Sequence, residues 1–130
     1  MKNISFIILL SIFAFSCNKH PGEGGTSIIK GKIIVEEYDQ TFTNLWATYD
    51  GADMDVYIKY GNHETYDDKV KTGPTGIYEF SYLLKGDYTI YVYSKDSTLQ
   101  SPSGKIVFSK EIKITENKQV VTAPTITVFD

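Results

Sequence analysis

The sequence predicts an all-β protein, an antiparallel β-sandwich of about seven strands. From Ser27 onward, apolar residues alternate with polar ones at a period of two, which is typical of half-buried strands. Turn-forming segments rich in glycine, proline, asparagine and aspartate separate the alternating runs. No stretch has the apolar spacing and length expected of a helix. The chain has 130 residues, 42% of them hydrophobic, which is enough for one domain with a stable core.

Four alternating runs define the clearest strands in chain order. The residues between the apolar positions are mainly polar or tyrosine, so one side of each strand should face the core. The last run of the chain contains Pro124, which has no amide hydrogen to donate, so we expect that position at a sheet edge or a bulge. The inward faces are Ile29, Gly31, Ile33 and Val35; Met54, Val56, Ile58 and Tyr60; Tyr88, Ile90 and Val92; Phe108, Ile112 and Ile114.

The segment from Glu36 to Tyr49 is the least regular part of the chain. It contains several aromatic residues without clean alternation, so we predict a long connection with a short strand or turn. Loops of this length in small domains often carry function. Two interpretations remain open: Leu45 and Trp46 cap one end of the core, or Trp46 is an exposed binding residue.

The first residues have the organisation of a secretory signal. One positive charge at Lys2 precedes an apolar run of about a dozen residues, which is shorter than the roughly 20 needed to span a bilayer. The sequence Ala14-Phe15-Ser16-Cys17 resembles a bacterial lipobox, and Cys17 is the only cysteine. This resemblance implies cleavage before Cys17 and a diacylglycerol on its thiol. We therefore predict a signal peptide at 1–16, a lipidated Cys17 with a flexible tether at 17–27, and a β-sandwich at 28–130.

A lipobox also implies a location. Asn18 does not resemble the aspartate that retains some lipoproteins in the inner membrane, and no acidic cluster follows it. We expect a lipid-anchored protein of the outer membrane that faces the periplasm, with surface exposure as the alternative. The expected partners are the membrane, through Cys17, and an unidentified envelope protein or glycan. A net charge of −3 argues against a nucleic-acid partner.

The segment 76–92 resembles the core motif of carboxypeptidase-regulatory-like domains. Its pattern is Gly76-Ile77-Tyr78-Glu79-Phe80, a short apolar link, then Gly86-Asp87-Tyr88 followed by alternating apolar residues. These domains are prealbumin-like, Ig-like β-sandwiches. Most of them are accessory or binding modules, so the resemblance implies an interaction role and no reaction.

The sequence suggests little catalytic chemistry. Its two histidines have no cysteine partner, and His63 lies in a predicted turn, so we predict no catalytic residue, no enzyme activity and no cofactor. Asp50, Asp53 and Asp55 form the one calcium candidate, because loop carboxylates are calcium ligands. The alternative is an ordinary solvated loop.

Three tyrosines are the remaining candidates for binding. Tyr57, Tyr91 and Tyr93 fall opposite the core-facing positions of their strands. Such residues stack on sugars or partner proteins, or they only shield a sheet face. The leading hypothesis is therefore a lipid-anchored, non-enzymatic envelope protein that binds or scaffolds a protein partner. The alternative is a carbohydrate-binding accessory lipoprotein that uses Trp46 and the exposed tyrosines.

Overall fold

The computed structural model describes residues 20–130, and all of the secondary structure there is β. The prediction of an all-β fold is confirmed. The predicted signal peptide and Cys17 lie outside the described residues. No helix within 20–130 is long and apolar enough to cross a membrane. The strands are β1 (Glu23–Tyr38), β2 (Leu45–Asp50), β3 (Asp55–Tyr60), β4 (Asp68–Lys71), β5 (Ile77–Leu83), β6 (Gly86–Lys95), β7 (Lys105–Ile114), β8 (Val120–Thr122) and β9 (Ile126–Phe129).

The strands form two sheets that pack face to face. The first sheet is built around β1, which pairs with β2 and β5 in antiparallel orientation. The second sheet has the order β4-β3-β6-β7 and is antiparallel throughout. This arrangement is the predicted β-sandwich, with nine strands in the described part of the chain where about seven were predicted.

Two pairings differ from the predicted antiparallel pattern, because β8 and β9 run parallel to β1. This parallel orientation follows from the position at which the chain leaves the second sheet after β7. β7 ends at Ile114 opposite Gly86, at the end of the sandwich where β1 begins, so the returning chain runs in the direction of β1. Ser27 holds this crossover: its hydroxyl donates to the Glu116 carbonyl at 2.7 Å and accepts from the Gln119 amide at 3.1 Å.

Pro124 lies in the short break between β8 and β9, at the edge of the first sheet. The prediction for this residue is confirmed. The predicted inward faces also form the core, together with aromatic residues of β5, and each buried apolar side chain contributes about 1.5–3 kcal/mol. The buried apolar residues are Ile29, Ile33, Val35, Val56, Ile58, Tyr78, Phe80, Leu83, Tyr88, Ile90, Val92, Ile112, Ile114, Ala123, Ile126 and Val128.

The segment 36–49, predicted as a long connection with a short strand or turn, is a β-hairpin: the turn and the short strand β2 are present, but the long connection is not. β1 continues to Tyr38, and β2 pairs with its last residues. Asp39 closes the turn by accepting hydrogen bonds from the Thr43 amide at 2.9 Å and the Asn44 side-chain amide at 2.7 Å. The hydrogen bond from the Thr43 amide, followed by that from Asn44, holds the pKa of Asp39 well below its usual range. All six residues of β2 are exposed, so its sequence has no apolar alternation to reveal a strand.

The predicted tether at 17–27 is wrong for residues 23–27, which are the first part of β1. This part of the strand bulges around Leu83, which is the register partner of both Glu23 and Ser27. A Cβ at Gly25 would overlap the Leu83 carbonyl oxygen, so only glycine permits the close approach. Gly25, which this close backbone approach requires, is one of the glycines that gave the segment the composition of a linker.

Candidate functional site

The structure brings the three predicted tyrosines together and places Trp46 elsewhere. Two exposed aromatic surfaces result. The tyrosine patch consists of Tyr57, Tyr66, Tyr91 and Tyr93 on the outer side of the four-stranded sheet. The tryptophan groove is a cleft of about 430 Å³ beside the β1–β2 hairpin, lined by Glu37, Tyr38, Asp39, Gln40, Phe42, Trp46, Lys95 and Asp130.

The tyrosine patch follows directly from strand register. Tyr57 of β3 is the register partner of Tyr91 of β6, and their rings stack with centroids 5.0 Å apart and planes 12° apart. Tyr93, two residues along β6, meets both rings edge-on at 5.5 and 5.9 Å. Burial, followed by the neighbouring tyrosines, raises the pKa of Tyr91. The three side chains therefore form one packed cluster.

Tyr66 completes the patch, and it was not predicted from the sequence as a candidate binding residue. It belongs to the loop between β3 and β4, and its ring lies 5.0 Å from that of Tyr57. Asp67 fixes this loop: its carboxylate accepts from the Tyr60 amide at 2.7 Å and lies 2.8 Å from Nδ1 of His63. His63 is an exposed turn residue, as predicted. A loop tyrosine has no periodic signal, so only the contact itself reveals its role.

The rings of the patch pack on one another and on a lysine. Tyr57 has three aromatic neighbours, and Lys59 Nζ lies 5.7 Å from the centroid of the Tyr91 ring. Tyr66 and Tyr93 are the most accessible members, with 48% and 47% of their surface exposed. Such an amphipathic surface suits a broad protein contact better than the stacking of a single sugar ring.

Trp46 occupies an unusual backbone position. Ala47 pairs with Glu37 and Leu45 pairs with Tyr38, so Trp46 is the extra residue of a β-bulge. Bulges change the direction of a side chain and are common beside functional sites. The indole is 66% exposed. The interpretation that Leu45 and Trp46 cap the core is wrong, since both are more than half exposed.

The wall of the groove is held in place by aromatic packing. The Tyr38 ring lies 5.9 Å from Phe42 and 5.8 Å from Phe129. Its hydroxyl donates to Glu36 Oε2 at 2.9 Å, and this hydrogen bond raises the pKa of Tyr38. Tyr38 therefore has a fixed orientation beside the exposed indole.

An ion pair supplies the polar side of the groove. Lys95 Nζ lies 2.7 Å from Asp130 Oδ1, and this hydrogen bond raises the pKa of Lys95. Both side chains are more than half exposed, and ion pairs in that setting add little to stability. Lys95 and Asp130 instead place a donor and an acceptor side by side at the groove. An aromatic surface with a few fixed polar groups is the usual composition of a small-molecule site.

The calcium candidate is not assembled. Asp50 pairs with Lys32 at 2.9 Å, and Lys71 lies 3.3 Å from Asp55 and 3.9 Å from Asp53. Within residues 20–130 there is no cluster of three or more metal-ligating side chains. The spacing of the three aspartates suggested that their carboxylates would converge on one ion. Instead, Lys71 is the register partner of Asp55 across the β3–β4 pair and forms an ion pair with it.

Comparison with known proteins adds little. No family model matches the chain, and no match was found among the curated proteins. Among solved structures, the chain is similar to a Pseudomonas aeruginosa protein named for a proposed carbohydrate-binding role. The two are 15% identical with a TM-score of 0.47, over 84% of this chain and 91% of the other. A likeness this distant carries no inference about a ligand.

Proposed function

We propose that this protein is a non-enzymatic carbohydrate-binding module, held in the bacterial envelope by a lipid on Cys17. The observation that carries the binding role is Trp46, an exposed indole at a β-bulge beside the Lys95–Asp130 pair. The indole is 66% exposed, so core packing does not account for a tryptophan at this position.

A sugar ring fits the chemistry of the tryptophan groove. The C–H bonds on one face of a pyranose carry partial positive charge and pack on the negative face of an indole. Hydroxyls at the ring edge accept from a cation and donate to a carboxylate, and hydrogen bonds to charged groups are the stronger ones. Trp46 supplies the apolar face, while Lys95 and Asp130 supply the donor and the acceptor.

Replacing Trp46 with alanine should weaken glycan binding at least about tenfold, which corresponds to roughly 1.4 kcal/mol. The Trp46→Phe variant should keep part of the affinity because it keeps an aromatic face. A glycan array identifies the ligand, and titration calorimetry with that glycan measures the affinity.

The matched control is Leu45→Ala. Leu45 is adjacent on β2, is 51% exposed and does not line the groove, so its loss should leave the affinity unchanged. Equal binding by wild type and Trp46→Ala would refute the groove as the site. An array with no bound glycan would refute the carbohydrate role altogether.

A protein partner at the tyrosine patch is the second candidate function. The observation that favours it is that these rings pack into one cluster on a sheet face and that two of them, Tyr66 and Tyr93, are about half exposed. Aromatic residues of this kind are enriched at protein interfaces.

The double variant Tyr66→Ser, Tyr93→Ser should lose most of an envelope protein captured by crosslinking, because it removes the two most exposed rings of the patch. Val120→Ser is the control, since Val120 is 54% exposed but lies in β8 of the other sheet. If the wild type, the double variant and the control variant capture the partner equally, the patch is excluded as an interface.

The anchor is supported by the lipobox-like sequence that ends at Cys17. We place the protein at the outer membrane facing the periplasm, with the cell surface as the alternative. Radiolabelled palmitate should be incorporated into the wild type and not into Cys17→Ser. Two or three acyl chains, at about 0.8 kcal/mol per buried CH₂, would make the attachment stable. An unlabelled wild type would contradict the anchor.

A further inference from the structure

The described chain is fixed to the sandwich from its first residues. Pro21 packs closely on Gly86. The Gly22 amide donates to the Tyr88 hydroxyl at 2.9 Å, and the Gly22 carbonyl accepts from the Leu84 amide at 2.8 Å. The folded body thus begins four positions after Cys17, and four residues span at most about 14 Å. A lipid on Cys17 would therefore hold this end of the domain close to the bilayer surface.

The tryptophan groove lies at the opposite end of the sandwich. β1 has 16 residues and begins beside Gly22. Its last residues, Glu37 and Tyr38, pair with the part of β2 that contains Trp46. A strand rises about 3.3 Å per residue, so the two ends of β1 lie on the order of 40 Å apart.

Of the large apolar side chains within residues 20–130, the most exposed is a tyrosine at the end nearest the anchor. Tyr82 is 75% exposed and lies next to Leu83, the register partner of Glu23. Its φ of +58° is unusual for a bulky residue and lies at a register shift in the β1–β5 pair. The local backbone therefore turns the ring away from the core. An amphipathic tyrosine is suited to the headgroup region of a bilayer.

We propose that the Tyr82 end of the sandwich rests on the lipid headgroups and that the tryptophan groove faces away from the membrane. This orientation rests on the lipid anchor of the proposed function. The short link from Cys17 brings the Tyr82 end to the lipid, and the length of β1 carries the groove tens of ångströms from it. A glycan in the surrounding space would then reach Trp46 without competition from the bilayer.

The chain contains a natural probe for this orientation, because Trp46 is its only tryptophan. Mature lipidated protein, beginning at Cys17, is placed in phosphatidylcholine vesicles whose acyl chains are brominated near the headgroup, and its fluorescence is compared with that in unbrominated vesicles. The wild type should show no loss of fluorescence, since Trp46 is distant from the lipid. The double variant Trp46→Phe, Tyr82→Trp should be quenched.

A second probe, Lys85→Trp in the Trp46→Phe background, is placed at the same end and should also be quenched, which guards against misfolding of the first. Quenching of Trp46 in the wild type, or no quenching of either near-end probe in protein that floats with the vesicles, would overturn the orientation while leaving the anchor intact. A wild type that does not float with the vesicles would overturn the anchor and the orientation together.

Discussion

Replacing Gly76 with alanine should lower the free energy of unfolding by about 2–5 kcal/mol. Gly76 has φ +78°, a left-handed conformation that costs a residue with a Cβ about 1–2 kcal/mol. The added Cβ would also overlap the Ile33 carbonyl oxygen and lie 3.0 Å from the Gly51 amide nitrogen. Both neighbours are backbone atoms held in hydrogen bonds, so neither can move aside without breaking the sheet.

Gly104 offers a matched control for this substitution. Its φ is +72°, almost the same as that of Gly76, but no described atom beyond the adjacent residues lies within 4 Å of an added Cβ. Gly104→Ala should therefore cost only the conformational part, about 1–2 kcal/mol. Urea denaturation of both variants separates the two effects, and equal losses would show that crowding at Gly76 contributes nothing.

Gly76 also shows what local sequence can predict. Its place before an alternating strand indicated a tight turn, and the structure has one, closed by the Gly76 amide and the Gly73 carbonyl. Period-two alternation likewise predicted the inward faces of β3 and β6 correctly, because strand geometry alone decides which side chains share a face. These correct predictions concern residues whose conformation depends mainly on the residues next to them in the sequence.

The missed features depend on partners distant in sequence. The parallel pairing of β8 and β9 follows from where β7 ends, and Tyr57 meets Tyr91 and Tyr93 only because β3 and β6 are neighbours. The bulge at Trp46 is a one-residue shift in the β1–β2 register. Alternation within a strand contains no information about its partner or about a bulge. The candidate sites are therefore less predictable than the core.

Removing the Tyr88 hydroxyl, in the Tyr88→Phe variant, should lower the free energy of unfolding by about 1–3 kcal/mol. This hydroxyl accepts from the Gly22 amide at 2.9 Å and donates to the Leu84 carbonyl at 2.6 Å. Both partners are backbone groups, one just before β1 and one in the turn between β5 and β6, and phenylalanine would leave them without this partner. The cost of an unsatisfied buried polar group outweighs the gain from burying a slightly more apolar ring.

Tyr78→Phe makes the same chemical change with the opposite expected sign. The Tyr78 hydroxyl is buried over Gly31 and has no hydrogen-bond partner within residues 20–130, and burial raises its pKa to about 12. Its removal eliminates the cost of burying an unpaired hydroxyl, so the free energy of unfolding should rise by about 1 kcal/mol. Urea denaturation of the two variants and the wild type measures both effects, and a loss of stability in Tyr78→Phe would contradict the unpaired state of its hydroxyl.

The Tyr88 variant has a second expected effect, because its hydroxyl fixes the point at which the chain enters the fold. Without that hydrogen bond, Gly22 should exchange its amide hydrogen faster than in Tyr78→Phe, which leaves the Gly22 contact intact. Releasing Gly22 would lengthen the link between Cys17 and the sandwich. Adding Tyr88→Phe to the Trp46→Phe, Tyr82→Trp variant should therefore reduce the quenching of its tryptophan by brominated lipid. Unchanged exchange at Gly22 would mean that the Leu84 amide and the packing of Pro21 hold this junction without Tyr88.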